Sequence, residues 1–165
     1  MDYRTANMAR GNRYFSNKQE TLIASSLGWD VVTGSGARHL YPGDISGIDW
    51  LGECKTHATS NKPIVFVLSV WDKILEEASS RHKYPVLFVD DGSQSLSKTW
   101  CMIPESIDIA ELNPELPIED FPKSIKSTVT FVNSLLDSKK VYYCVAENTT
   151  MYVMHFNIFS ELFKR

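Results

Sequence analysis

Glu53, Cys54 and Lys55 stand in a row within the stretch GDISGIDWLGECKTH, and Asp44 precedes them by nine residues. Side chains alternate along a strand, so Glu53 and Lys55 share one face. Cys54 turns to the other, where a small apolar thiol packs well. With Asp44 on the neighbouring strand of a hairpin, its carboxylate can reach Glu53. Two carboxylates held close repel, and a cation or a proton must compensate. Mg²⁺ suits such a pair, because it takes oxygen ligands, usually one or two carboxylates, and keeps the other positions for water and substrate phosphate. The backbone carbonyl of Cys54 is a further oxygen donor. Lys55 beside a metal would steady an attacking water and offset charge on a phosphorane-like transition state. Acid–base pairs are also common on exposed strand faces, so Glu-x-Lys alone says little, and Asp44 after Pro42-Gly43 adds to it.

Such a hairpin needs neighbours. Ser16 with Gln19 makes a capping-box pattern, Gly28 is a natural terminator, and Leu22, Ile23, Ser26 and Leu27 form an apolar stripe, which predicts a first helix over 17–27. Glu20 borders that stripe, with two readings open: a carboxylate pointing over the sheet, or one that only favours the helix's positive end. WDVV reads as a short strand and TGSGARHLYPG as a loop. DISG and WLGECKTH read as two strands joined tightly near Ile48-Asp49.

IVFVL reads as a strand and leads to a second helix that Ser69 and Asp72 can cap. Val70, Trp71, Ile74, Leu75 and Ala78 are expected inward, and Lys73, Glu76 and Glu77 outward. Tyr84-Pro85 ends that helix and VLFV follows as a buried strand, a unit that predicts parallel strands. Beyond it, KTWCMIP reads as an edge strand. Residues 124–137 read as a helix with Ile125, Val129, Val132 and Leu136 on one face, against their β-branched content. VYYCVAENTTMYVMHF reads as a hairpin about Asn148 and IFSELFKR as a closing helix. The expected fold class is α/β, a mixed central sheet flanked by helices in a single domain. Its core spans 16–104, and 105–165 is an extension for dimerisation or substrate selection.

The composition of the 165 residues, 43% hydrophobic and 22% charged, is that of an ordinary globular chain. No apolar run approaches the roughly 20 residues that span a bilayer, and the first residues lack the apolar core of a secretory signal. Cys54, Cys101 and Cys144 show no metal-binding spacing, and reduced thiols in a cytosolic protein are the simplest expectation. A net charge of −3 argues against a protein that coats nucleic acid. Arg4, Arg10, Arg13 and Lys18 nevertheless make the N-terminal tract basic, either an arm for phosphates or a solvated tail.

The ordered set of an acid in NKQETLIASSLGWDVV, the GSGA loop, PGD, GECK, and then SVWDKILEEASSRHKYPVLFV resembles the PD-(D/E)xK nuclease superfamily. It looks most like the archaeal-type Holliday junction resolvases and their phage relatives, over about residues 18–89. The resemblance implies a restriction-endonuclease-like αβββαβ core. It implies that Glu20, Asp44 and Glu53 are metal ligands and Lys55 the catalytic lysine. Ser35 would lie in the loop that approaches the scissile strand. The expected activity is Mg²⁺-dependent endonucleolytic hydrolysis of DNA, with Mn²⁺ as substitute, in branched substrates such as Holliday junctions. Restriction-type, flap and exonucleolytic action, or a catalytically silent DNA-binding module, are the alternatives. A homodimer is expected, because junction resolution needs two cuts related by near two-fold symmetry. No membrane and no nucleotide cofactor are expected, and the setting is the cytoplasm, the host's if phage-encoded. This chain departs from the superfamily pattern in the glycine between Pro42 and Asp44.

Several residues carry two readings. Gly34-Ser35-Gly36 is a flexible loop, not a phosphate cradle, because no helix follows it. Arg38 in that loop either touches DNA phosphate or is solvated. His57 lies on the Glu53 face and either positions water or phosphate or is idle. The DNA-contacting candidates are thus Arg10, Arg13, Lys18, Ser35, Arg38 and His57. Asp49 rivals Asp44 as second carboxylate but reads better as a turn acid. Trp71 reads as core, and Tyr142, Tyr143, Tyr152 and Phe156 as core or dimer interface.

Overall fold

A computed structural model describes residues 3–32, 43–122, 125–146 and 149–164, with the side chains of 3–12 excepted. Helix α1 (Tyr3–Leu27) leads into β1 (Asp30–Val31), β2 (Ile45–Ser46), β3 (Trp50–Lys55) and β4 (Ile64–Val67). Helix α2 (Leu68–Ser80), β5 (Tyr84–Val89) and β6 (Trp100–Pro104) follow. A short α3 (Ile109–Leu112), β7 (Ile118–Asp120), β8 (Thr128–Phe131), β9 (Val141–Ala146), β10 (Thr149–His155) and α4 (Phe156–Phe163) complete the chain. The result is a mixed α/β fold built on one eight-stranded sheet, in the order β1-β2-β3-β5-β6-β10-β9-β7. A separate two-stranded sheet pairs β4 with β8. Among the described residues no helix is long and apolar enough to cross a membrane.

Strand alternation divides the core into two layers. On β5, Leu87 and Val89 join Trp71, Ile74 and Ala78 of α2 and the β4/β8 pair. Val86 and Phe88 face the other way, onto Ile23, Ala24 and Leu27 of α1 and Phe156 and Phe159 of α4. Burying both faces explains the near-continuous apolar runs of β5 and β6. It also corrects one expectation: β6 lies inside the sheet, between β5 and β10, with every residue buried.

The first helix is longer than the 17–27 that the capping pattern predicts, and Ser16 and Gln19 sit well inside it. Gln19 is buried and spends its amide on the backbone of β3, which removes it from any cap. Gly28 does end the helix, at φ +71°, with the Trp29 N–H returning to the Ala24 carbonyl at 2.9 Å. Helix α2 begins at Leu68 without a side-chain cap, so neither Ser69 nor Asp72 plays that part. The Leu68 N–H instead donates to the Ser127 carbonyl at 3.0 Å.

The region expected as a helix over 124–137 contains β8, whose alternating burial matches its β-branched residues. By pairing with β8, β4 leaves the main sheet. The parallel partners are therefore β3 and β5, not the two strands that flank α2 directly. Along the main sheet the elements run α1–β1–β2–β3–α2–β5. Residues 105–165 contribute β7, β9 and β10 to that same sheet, and β10 and β9 form the expected antiparallel pair. Asn148, the expected centre of that hairpin, lies outside the described residues. Trp71, Tyr142 and Phe156 are core, whereas Tyr143 and Tyr152 are half-buried and touch each other.

Candidate active site

Strand β2 is short and pairs only with Leu51 and Gly52 of β3, so Glu53, Cys54 and Lys55 run on past it. A backbone N–H beyond the last pair needs another acceptor. Asp44 supplies it: its Oδ2 accepts the Cys54 N–H at 2.8 Å. The Asp44 backbone is fixed as well, with its N–H donating to the Gly52 carbonyl and its carbonyl accepting from Val32, both at 2.8 Å. The side chain thus stands in the gap that a longer β2 would fill.

Glu53 is buried, and Lys55 Nζ lies 3.4 Å from its Oε1 on the same face. Cys54 turns to the α1 side, buried against that layer as the alternation predicts. Glu20 reaches the place from α1, where Gln19 donates to the Lys55 carbonyl at 2.7 Å and fixes the helix against the end of β3. Glu20, Asp44, Glu53, Cys54 and Lys55 line a single cavity of about 550 Å³.

Crowding shows in the protonation equilibria. Burial, then the charges of Asp44 and Glu53, push Glu20 from 4.5 up to about 7, and Lys55 only partly offsets them. Glu53 is raised by burial and by Asp44, with Lys55 and Lys73 opposing. The Cys54 thiol is pushed far up by burial and by these same carboxylates, which leaves it a packing group. Cys101 and Cys144 are buried free thiols, also raised by desolvation.

Of the other expected contacts, His57 is exposed and lines the cavity. Arg13 and Lys18 are exposed on α1 and are not among its lining residues. Ser35 and Arg38 lie outside the described residues, as does the side chain of Arg10. Asp49 is exposed in the β2–β3 turn, where its carbonyl accepts from Tyr84 N–H.

Three residues in or behind the cavity escape the sequence reading. Gln19 falls four and eight residues before Ile23 and Leu27, so a polar residue inside the apolar stripe was the available signal. Phe15, four residues before Gln19, lines the cavity from α1. Lys73 is exposed on α2 as expected and also lines the cavity, which nothing in its spacing signals. Leu75 on the same helix, expected inward, is exposed.

The donor set is all oxygen, which fits a hard divalent cation such as Mg²⁺. Among the described residues no three His, Cys, Asp or Glu side chains stand close enough to hold a metal ion between them. Mg²⁺ ordinarily asks less, taking one or two carboxylates and completing its shell with water and phosphate oxygens. No protein-family model, curated protein or solved structure matches the chain.

Proposed function

We propose that this protein is a Mg²⁺-dependent endodeoxyribonuclease of the PD-(D/E)xK kind, acting on branched DNA as a homodimer. The observation that carries the reading is the convergence of Glu20 from α1, Asp44 from the turn just before β2, and Glu53 from β3 on one open cavity with Lys55. Such mutual repulsion is costly in a site with no cation to bind. A bound divalent ion would polarise the phosphate and lower the pKa of a coordinated water.

Asp44 and Glu53 would hold that ion as its two protein carboxylates, with Glu20 on the same cavity wall facing its water shell. Lys55 offers its ammonium beside Glu53, where it orients the attacking water and offsets the negative charge that grows on the phosphate oxygens. Gln19 keeps the Lys55 backbone in place through its carbonyl. Lys73 and His57 add donors at the cavity wall for phosphates of the cleaved strand.

The test offers labelled four-way junction, flap, linear duplex and single strand in Mg²⁺, Mn²⁺ or EDTA. Junction cleavage with either metal, and none in EDTA, is expected. No cut in any substrate with either metal ends the nuclease reading. Cleavage of linear duplex at the junction's rate ends only the branched-DNA part. Light scattering at micromolar concentration checks the dimer.

A further inference from the structure

Behind the cavity lies a contact that the site's own residues do not explain. Glu77 of α2 is half-buried, and its Oε2 accepts the backbone N–H of Gly43 at 3.0 Å. We propose that Glu77 is a positioning residue, which sets where the Asp44 carboxylate stands by holding the peptide of the glycine before it. The proposal deepens the nuclease reading and rests on it.

Gly43 is buried at φ +74°, and a Cβ there would come 2.7 Å from Leu51 Cδ1. Both the backbone conformation and the space demand glycine, the residue least able to hold a conformation by itself. Its N–H donates to a side chain of α2, the Glu77 carboxylate, and not to a strand carbonyl. The next residue is Asp44, whose N–H and side chain then fall onto Gly52 and Cys54. The glycine between Pro42 and Asp44 is thereby accommodated: α2 holds the extra peptide and delivers the carboxylate to β3.

Glu77 is not simply a surface partner of Lys73. That ion pair, at 3.7 Å between residues one turn apart, uses Oε1, whereas Gly43 takes Oε2 across 34 residues of sequence. One carboxylate therefore ties the wall lysine and the Asp44 turn to the same helix. Partners of this kind behind a metal ligand commonly change metal affinity by about 10–100-fold when removed.

The discriminating variants are Glu77→Met, which keeps a helix-forming stem without an acceptor, and Glu77→Gln, whose amide oxygen can still accept from Gly43. Mn²⁺ affinity is read by electron paramagnetic resonance, and exchange of the Gly43 amide by NMR in metal-free protein. Expected are a loss of about 10–100-fold in Mn²⁺ affinity and of Gly43 amide protection in Glu77→Met. Glu77→Gln is expected to restore both to within about threefold of wild type. Unchanged Mn²⁺ binding in folded Glu77→Met overturns the proposal while the nuclease reading stands. Equal damage in both variants also overturns it, because charge and not the hydrogen bond would then matter. Failure of Glu77→Met to fold beside a fully stable Glu77→Gln assigns the residue to stability alone. Wild-type protein that binds no Mn²⁺ brings down both the proposal and the reading beneath it.

Discussion

The carboxylate of Asp44 receives the backbone N–H of Cys54, 2.8 Å away, at the point where β3 has outrun its neighbour β2. A side chain thus takes the place of a strand and closes a ladder that would otherwise leave a donor unpaired. The same oxygen cluster that satisfies the backbone is aimed at the cavity shared with Glu20 and Glu53. Structure and chemistry meet in one residue, and substitutions can separate them.

Asp44→Asn preserves an acceptor for the Cys54 N–H and removes the charge. Its melting temperature is expected to stay close to wild type while metal-dependent cleavage drops by at least about 100-fold. Asp44→Ala loses both, with a stability cost of about 1–3 kcal/mol for the unpaired donor. Parallel calorimetry and cleavage rates separate the two effects, and an active Asp44→Asn would remove Asp44 from the site.

Lys55→Met is expected to stay folded. The lysine side chain is 53% exposed but that of Glu53 only 9%, so the buried carboxylate left behind takes up a proton and the cost is about 1–3 kcal/mol. Cleavage should nevertheless fall about 10²–10³-fold, the loss typical of removing a group that stabilises transition-state charge. Full activity in this variant would show that the lysine is a bystander.

In EDTA, stability should depend on pH through Glu20. Its folded-state value of about 7 exceeds the 4.5 of the unfolded chain, so the folded protein binds this proton more tightly. Its contribution is complete below 4.5, is lost as pH rises through about 7, and is level above that. Glu53, raised by burial and by Asp44, acts with the same sign. Urea unfolding from pH 4.5 to 8 should therefore show a falling limb that Glu20→Gln makes shallower. An unchanged slope would mean that Glu20 does not feel the other carboxylates.

Gln19→Ala leaves the Lys55 carbonyl without its donor and opens space in the α1 layer. A loss of about 1–3 kcal/mol is expected from the acceptor alone, seen as a drop of several degrees in melting temperature. Ser25→Ala, on the exposed side of the same helix, should change stability by less than about 0.5 kcal/mol. Equal effects of the two would contradict an anchoring role for Gln19.

The hairpin was the most legible part of the chain, because a two-residue alternation around Glu53 and Lys55 leaves few arrangements. Gly28 and the buried run of β5 were legible for similarly local reasons. What misled were patterns that satisfy two structures at once. Ser16-x-x-Gln19 is a capping box by sequence, yet Gln19 is claimed by a backbone 36 residues away. Val129 and Val132 fit a helix face, but β8 exists because β4 needs a partner outside the main sheet. Glu77 reads as solvent-facing, yet the fold brings the turn before Asp44 against it and leaves it half-buried. Such long-range claims leave no periodic trace.

Gln19 also gives α1 a fulcrum. From there the helix extends back to Tyr3, about 24 Å away at about 1.5 Å per residue, whereas Glu20 sits only one residue from the pivot. The segment beyond that point is fixed as well, because Ile23, Ala24 and Leu27 are buried in the α1 layer. The acid therefore stands at the held end of a long rod, and its place is set by the core, not by the rod's far end.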